Sequence, residues 1–129
     1  MDLDTPADQW RARLRQSLLA ARKVRDATRV SVLRCALSAI DNAEAPEAAA
    51  APVGPVVDEG TIAGAVRGLG AGEAARRDLS AQEVRDVVVA ELTERTAAAD
   101  TFDALGEPDR AASLRAEVAV LAELLAQPA

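Results

Sequence analysis

The chain reads as an all-α helical bundle made of an N-terminal helical hairpin, a Pro/Gly-rich linker with a short helix, and a long C-terminal helical pair. Three observations predict this. Apolar residues recur at spacings of three and four through both ends of the 129-residue sequence. Helix start and stop signals bracket those stretches: Thr5-Pro6, Asp26, Ser80 with Glu83, and Gly106 before Pro108. Half the residues are apolar, yet Trp10 and Phe102 are the only aromatics, so the core must be built from Ala, Val and Leu. A core of that kind suits close helix packing better than a sheet sandwich, which relies on large inward side chains.

The hairpin is expected over residues 6–43. Thr5 can cap, Pro6 fits the first helical position, and Asp8 sits near the positive end of the helix dipole. Trp10, Leu14, Leu18 and Ala21 then share one face. Asp26 caps a second helix whose expected stripe is Val30, Leu33, Leu37 and Ile40. Prolines at 46, 52 and 55 make 44–60 a linker, with Val53 to Val57 as the one run that alternation allows as a strand. A short helix and a Gly-rich turn fill 61–79, although glycines at 64 and 68 each cost ~1 kcal/mol against alanine inside a helix. The Ser80/Glu83 capping box opens a long helix over 80–105 with Val84, Val87, Val88, Leu92, Arg95, Ala99 and Phe102 on one face. A last helix over 108–126 carries the seam Ala111, Leu114, Val118, Leu121 and Leu125. The whole is expected to form a single domain.

Composition narrows the function. No histidine is present, and with one cysteine and one lysine no Cys-His, Ser-His or Lys-Lys dyad can be built. We therefore expect no catalytic residues, no metal site and no cofactor. Cys35 cannot form an intramolecular disulfide, and it reads as a small buried hydrophobe beside the Val30, Leu33, Leu37 stripe. Met-Asp-Leu-Asp-Thr lacks the positive flank and apolar run of a secretory signal, so the expected compartment is the cytoplasm. No stretch approaches the roughly 20 apolar residues that cross a bilayer, so no membrane partner is expected. Carboxylates three apart on the long helix, such as Glu83 with Asp86, read as a solvated face.

The net charge of −6 conceals an asymmetry. Residues 11–34 hold eight basic side chains against Asp26 alone, whereas from Asp41 onward 17 acidic residues face 7 basic ones. Only the first third can attract an anion at long range. Arg22, Arg25, Arg29 and Arg34 are the candidate RNA contacts. Arg76 and Arg77, after the glycine run at 68–72, form a weaker candidate anion site.

Ala21-Arg22-Lys23-Val24-Arg25-Asp26, followed by RVSVLRCALSAIDNAE from Arg29 to Glu44, resembles the opening helical hairpin of the GatB/YqeY family, relatives of the helical region of the tRNA-dependent amidotransferase B subunit. Glu91, Leu92, Arg95, Phe102, Gly106, Asp109, Ala111, Glu117, Val118, Val120, Leu121 and Leu125 are similar to that family's long helix and the helix after it, so the likeness covers 11–43 and 80–125. The resemblance implies an all-helical domain and, through the amidotransferase, engagement of tRNA. It also marks Asp41-Asn42-Ala43-Glu44 as a family motif, with Asn42 and Glu44 a candidate polar cluster whose plain reading is helix termination. Ala90, Thr93 and Thr96 stand where the family is basic, Glu107 stands in place of an arginine, and the family's C-terminal tail domain is expected to be missing.

Two functions from different classes follow. One is a non-catalytic interaction module that docks on a protein partner or weakly on itself, with Leu121, Leu124 and Leu125 of the last helix as the candidate interface. The other is a weak tRNA- or RNA-binding accessory protein that uses the basic hairpin.

Overall fold

The computed structural model describes residues 5–46 and 76–127. Within them lie four helices in two packed pairs: α1 (Pro6–Lys23) with α2 (Ala27–Glu44), and α3 (Ala81–Ala104) with α4 (Pro108–Ala126). The expected short helix and Gly-rich turn, apart from residues 76–79, lie outside the described residues, as does the Val53 to Val57 run.

The predicted caps form. Thr5 Oγ1 accepts from the Asp8 N–H at 3.0 Å, and Asp26 Oδ1 from the Arg29 N–H at 3.1 Å. In the capping box the Glu83 N–H donates to Ser80 Oγ at 3.0 Å while Glu83 Oε1 accepts from the Ser80 N–H at 2.8 Å. Such caps contribute ~1 kcal/mol each by satisfying donors the helix leaves open.

Two helices end in the same way. At the end of α3, the Glu107 N–H reaches Phe102 O at 2.9 Å and the Gly106 N–H reaches Asp103 O at 3.0 Å, with Gly106 at φ 76°. At the end of α1, the Asp26 N–H reaches Ala21 O at 3.0 Å and the Arg25 N–H reaches Arg22 O at 3.1 Å. The left-handed residue of this second Schellman motif is Arg25, at φ 59°, where a glycine is the usual occupant.

The common core takes Ala7, Trp10, Leu14, Leu18 and Ala21 from α1, Val32, Leu33, Ala36 and Ile40 from α2, Leu79, Val84 and Val88 from the start of α3, and Val120, Leu121 and Leu124 from the end of α4. Leu14, Leu33, Ile40 and Leu121 are among its largest fully buried side chains, each worth about 1.5–3 kcal/mol of burial. The face of α2 is rotated from the expected one: Val32 and Ala36 go fully inside, while Val30 and Leu37 are only half-buried. All three other helices pack against α2, and this widens its apolar arc.

Beyond that core α3 and α4 continue together as a two-helix arm. Ala99 and Ala111 are buried there but lie outside the common core; side chains this small let two packed helices approach closely. From Thr101 to Arg110 only Phe102 is even half-buried. Arg95 ties the arm, donating to Glu91 and Glu117 at 2.8 Å each, and Arg115 reaches Asp100 at 3.0 Å and Asp103 at 2.7 Å.

Burial corrects the last-helix expectation. Leu121 and Leu124 are internal to the fold, and Leu125 packs half-buried against the core, so these three close the chain's own bundle and offer no exposed seam to a partner. No helix of the described residues is long and apolar enough to cross a membrane.

Candidate functional site: the basic tip of the hairpin

The connection from α1 to α2 spans Val24, Arg25 and Asp26, so the last turn of one helix and the first turns of the next meet at a single tip. Arg22, Arg25, Ala27, Val30, Ser31, Arg34 and Cys35 line an open groove of ≈ 600 Å³ there. Three of the four sequence-predicted arginines thus come together. The placement follows from periodicity: Ser31, Cys35, Ser38 and Asn42 recur on the outer face of α2 at spacings of four, three and four. Arg34 stands beside that face, and the left-handed backbone at Arg25 turns the chain there.

Arg22, Arg25 and Arg34 have no ion-pair partner among the described residues, whereas Arg11, Arg29, Arg76, Arg95, Arg110 and Arg115 each reach a carboxylate. Arg29, the fourth candidate, is one of those: it reaches Glu123 of α4 at 2.8 Å and Asp26 at 3.4 Å. The hydrogen bond to Glu123 raises the Arg29 pKa further, and in return holds the Glu123 carboxyl below its ordinary value. Arg29 therefore locks α2 to α4 and is withdrawn from the site.

Cys35 is exposed in the groove, contrary to the expected buried hydrophobe. Adjacency to Leu33 and Leu37 along the sequence misled, because residues two apart on a helix point to nearly opposite sides.

The candidate polar cluster of Asn42 and Glu44 separates. Asn42 lines a neighbouring open groove of ≈ 330 Å³ with Arg34, Cys35, Ser38, Ala39 and Glu91. Glu44 turns inward, with its side chain only 10% exposed, and its Oε1 accepts from Arg11 and, at 2.6 Å, from Arg76. Arg11, itself 11% exposed, also reaches Asp41 at 3.0 Å and Asp8 at 3.2 Å. Burial opposes its charge, but the hydrogen bonds to Glu44 and Asp41 outweigh this and raise its pKa. The Arg77 N–H donates to Glu44 O at 2.9 Å. The candidate anion site at Arg76 and Arg77 is therefore corrected: Arg76 is taken by the chain's own Glu44 carboxylate, while Arg77 donates to the backbone oxygens of Ala43 and Glu44. This knot fastens the end of α2 to the strand of chain entering α3. Sequence reasoning missed Arg11, whose only signal was its place one turn after Asp8.

Arg13 also lies outside the site, stacked over Trp10 at 4.3 Å and donating to Gln127 at 3.1 Å. Among the described residues no group of three or more Cys, Asp and Glu side chains is arranged to hold a metal ion. No family model matches the chain, and no curated protein or solved structure matches it either.

Proposed function

We propose that this protein is a non-catalytic helical binding module that takes the phosphate backbone of RNA, tRNA being the first candidate, on the basic tip of its hairpin, and that it is a divergent relative of the GatB/YqeY family acting in the cytoplasm. The observation that carries the reading is the contrast among arginines. Arg11, Arg29, Arg76, Arg95 and Arg115 are each bonded to carboxylates, while Arg22, Arg25 and Arg34 converge unpaired on one groove. Guanidinium groups left unneutralised beside a shallow open groove suit phosphate oxygens, which they bind in a forked geometry.

The likeness of Ala21 to Glu44 to the family's opening hairpin points the same way, since in the amidotransferase the related region engages tRNA. A non-catalytic role fits a chain without histidine, whose single thiol and single lysine leave no partner for a nucleophile. Docking on a protein partner is the second reading. It draws on Leu19 and Val24, which stand exposed among the same basic residues.

Fluorescence anisotropy with bulk tRNA at low salt tests the proposal. Binding that weakens steeply as salt rises is expected, because each neutralised phosphate releases a counterion. Absence of binding at low salt would remove the RNA reading and leave the protein partner, which affinity capture with salt-graded washes would then identify.

A further inference from the structure

The hairpin tip and the turn of the arm each carry an exposed apolar residue, the first among mostly basic side chains and the second among mostly acidic ones. At the hairpin tip, Leu19 is 59% and Val24 73% exposed. Arg15, Leu19, Arg22 and Lys23 follow one another at spacings of four, three and one, a single outward stripe of α1 that runs into Val24 and Arg25. Among the described residues Arg15, Arg22, Lys23 and Arg25 have no ion-pair partner.

At the far end of the arm, Leu105 is 66% exposed at the turn between α3 and α4. Beside it Phe102, Asp109, Arg110, Ser113 and Leu114 line an open groove of ≈ 370 Å³. Between Glu91 and Glu117 seven acidic residues face three arginines. Each of those arginines is held by a carboxylate of the arm itself: Arg95 by Glu91 and Glu117, Arg110 by Glu107, Arg115 by Asp100 and Asp103. The arm thus presents surplus negative charge, with Asp109 unpaired among the described residues. No ion pair among those residues joins the tip to residues 100–115 of the same chain.

We propose that a second copy of this chain is the occupant of both surfaces. The acidic arm of each protomer docks on the basic tip of the other, so that Leu105 of one meets Leu19 and Val24 of its partner, while Arg110 stays stacked over the Phe102 ring of its own arm. Two such contacts related by a twofold axis close a dimer, which an isologous arrangement requires and a single head-to-tail contact would not give. Charge complementarity selects this pairing, because tip-to-tip and arm-to-arm contacts place like charges together. The dimer masks Arg22 and Arg25, two of the three arginines in the RNA groove. Here the inference rests on the function proposed above: self-association and RNA compete, and RNA drives the dimer apart by mass action.

Sedimentation equilibrium of the full chain tests it. At about 0.01 M ionic strength the unmodified protein should dimerise. Raising the ionic strength to about 0.15 M, which shortens the Debye length from about 30 Å to about 8 Å, should weaken the dimer by about tenfold or more. A tip variant, Arg22→Glu with Lys23→Glu, and an arm variant, Leu105→Lys with Asp109→Lys, should each be monomeric while circular dichroism shows full helix content. All four positions are exposed, so the fold should survive. An equimolar mixture of the two variants should form a heterodimer, since each then offers the charge the other lacks. A protein that stays monomeric at low ionic strength, a dimer indifferent to the arm variant, or a mixture that stays monomeric would overturn the proposal.

The RNA reading fails separately. The arm variant keeps all three groove arginines and should bind tRNA at least as tightly as the unmodified chain. Dimerisation without tRNA binding would sink only the function proposed above, and tRNA binding by a strictly monomeric protein only the dimer.

Discussion

Arg25 occupies a left-handed position that glycine would fill with less strain. The two Schellman turns are a natural comparison, because Gly106 performs the same backbone task at the end of α3 with nothing within 4 Å of where a Cβ would stand. A non-glycine residue in that conformation costs roughly 1–2 kcal/mol, so at the tip the chain gives up stability to keep a cation. Arg25→Gly should therefore raise the stability to urea by roughly 0.5–1 kcal/mol and weaken binding to tRNA in the same variant. A gain in stability with unchanged RNA affinity would show that Arg25 lies outside the interface. Glu44 shows the opposite limit of reading residues from sequence. Its position at the helix end suggested local capping, whereas its partners are Arg11, 33 residues earlier, and Arg76, 32 residues later. Such a pairing has no local signature in a single sequence. Cys35 did have one, since Ser31, Ser38 and Asn42 share its face and mark it as the polar side.

Among the elements, the boundaries were the most legible part, because caps are local chemistry: Thr5, Asp26, Ser80 with Glu83, Gly106 and Pro108 each act where the sequence placed them. Less legible was which face of each helix is buried, since that depends on how many neighbours it has. On α4 the heptad seam named Leu121 correctly but missed Val120 and Leu124, which also go inside because α2 packs on that helix beside α3. An aspartate at either Leu121 or Leu124 should then destabilise the fold by about 3 kcal/mol or more, as a charge without a partner in an apolar core. Thermal melts would show this; a Leu124→Asp protein with unaltered melting would place that side chain at the surface. The α2 to α4 tie makes a finer prediction. Arg29 holds the Glu123 carboxyl below its ordinary pKa, so this group is charged in the folded state at pH values where it is protonated in the unfolded chain. Its stabilising contribution is complete above the unfolded pKa and is lost as pH falls through the folded one. A carbon-13 NMR titration should find Glu123 titrating low in the native protein and returning upward in Arg29→Ala. Identical titration in both proteins would dissolve the tie.

Over the whole molecule, charge and shape divide along the same line. The basic residues that the sequence clusters in 11–34 sort once folded: Arg11, Arg13 and Arg29 are engaged within the chain, Arg15, Arg22, Lys23, Arg25 and Arg34 have no ion-pair partner among the described residues, and of these Arg22, Arg25 and Arg34 share the groove. Sequence composition alone could find the basic third but could not make this division, which depends on where Glu44 and Glu123 return to in space. In the function proposed above, the three groove arginines, and not basic charge in general, meet RNA. The most direct test is the slope of log affinity against log salt for tRNA, compared among the unmodified protein, Arg29→Ala, and a triple variant with Arg22, Arg25 and Arg34 changed to alanine. Each phosphate contact contributes about 0.7 to 0.9 to that slope. The triple variant should lose about 2 to 3 in slope and nearly all its affinity, while Arg29→Ala should retain the slope of the unmodified chain. Equal losses in Arg29→Ala, or an unchanged slope in the triple variant, would contradict it.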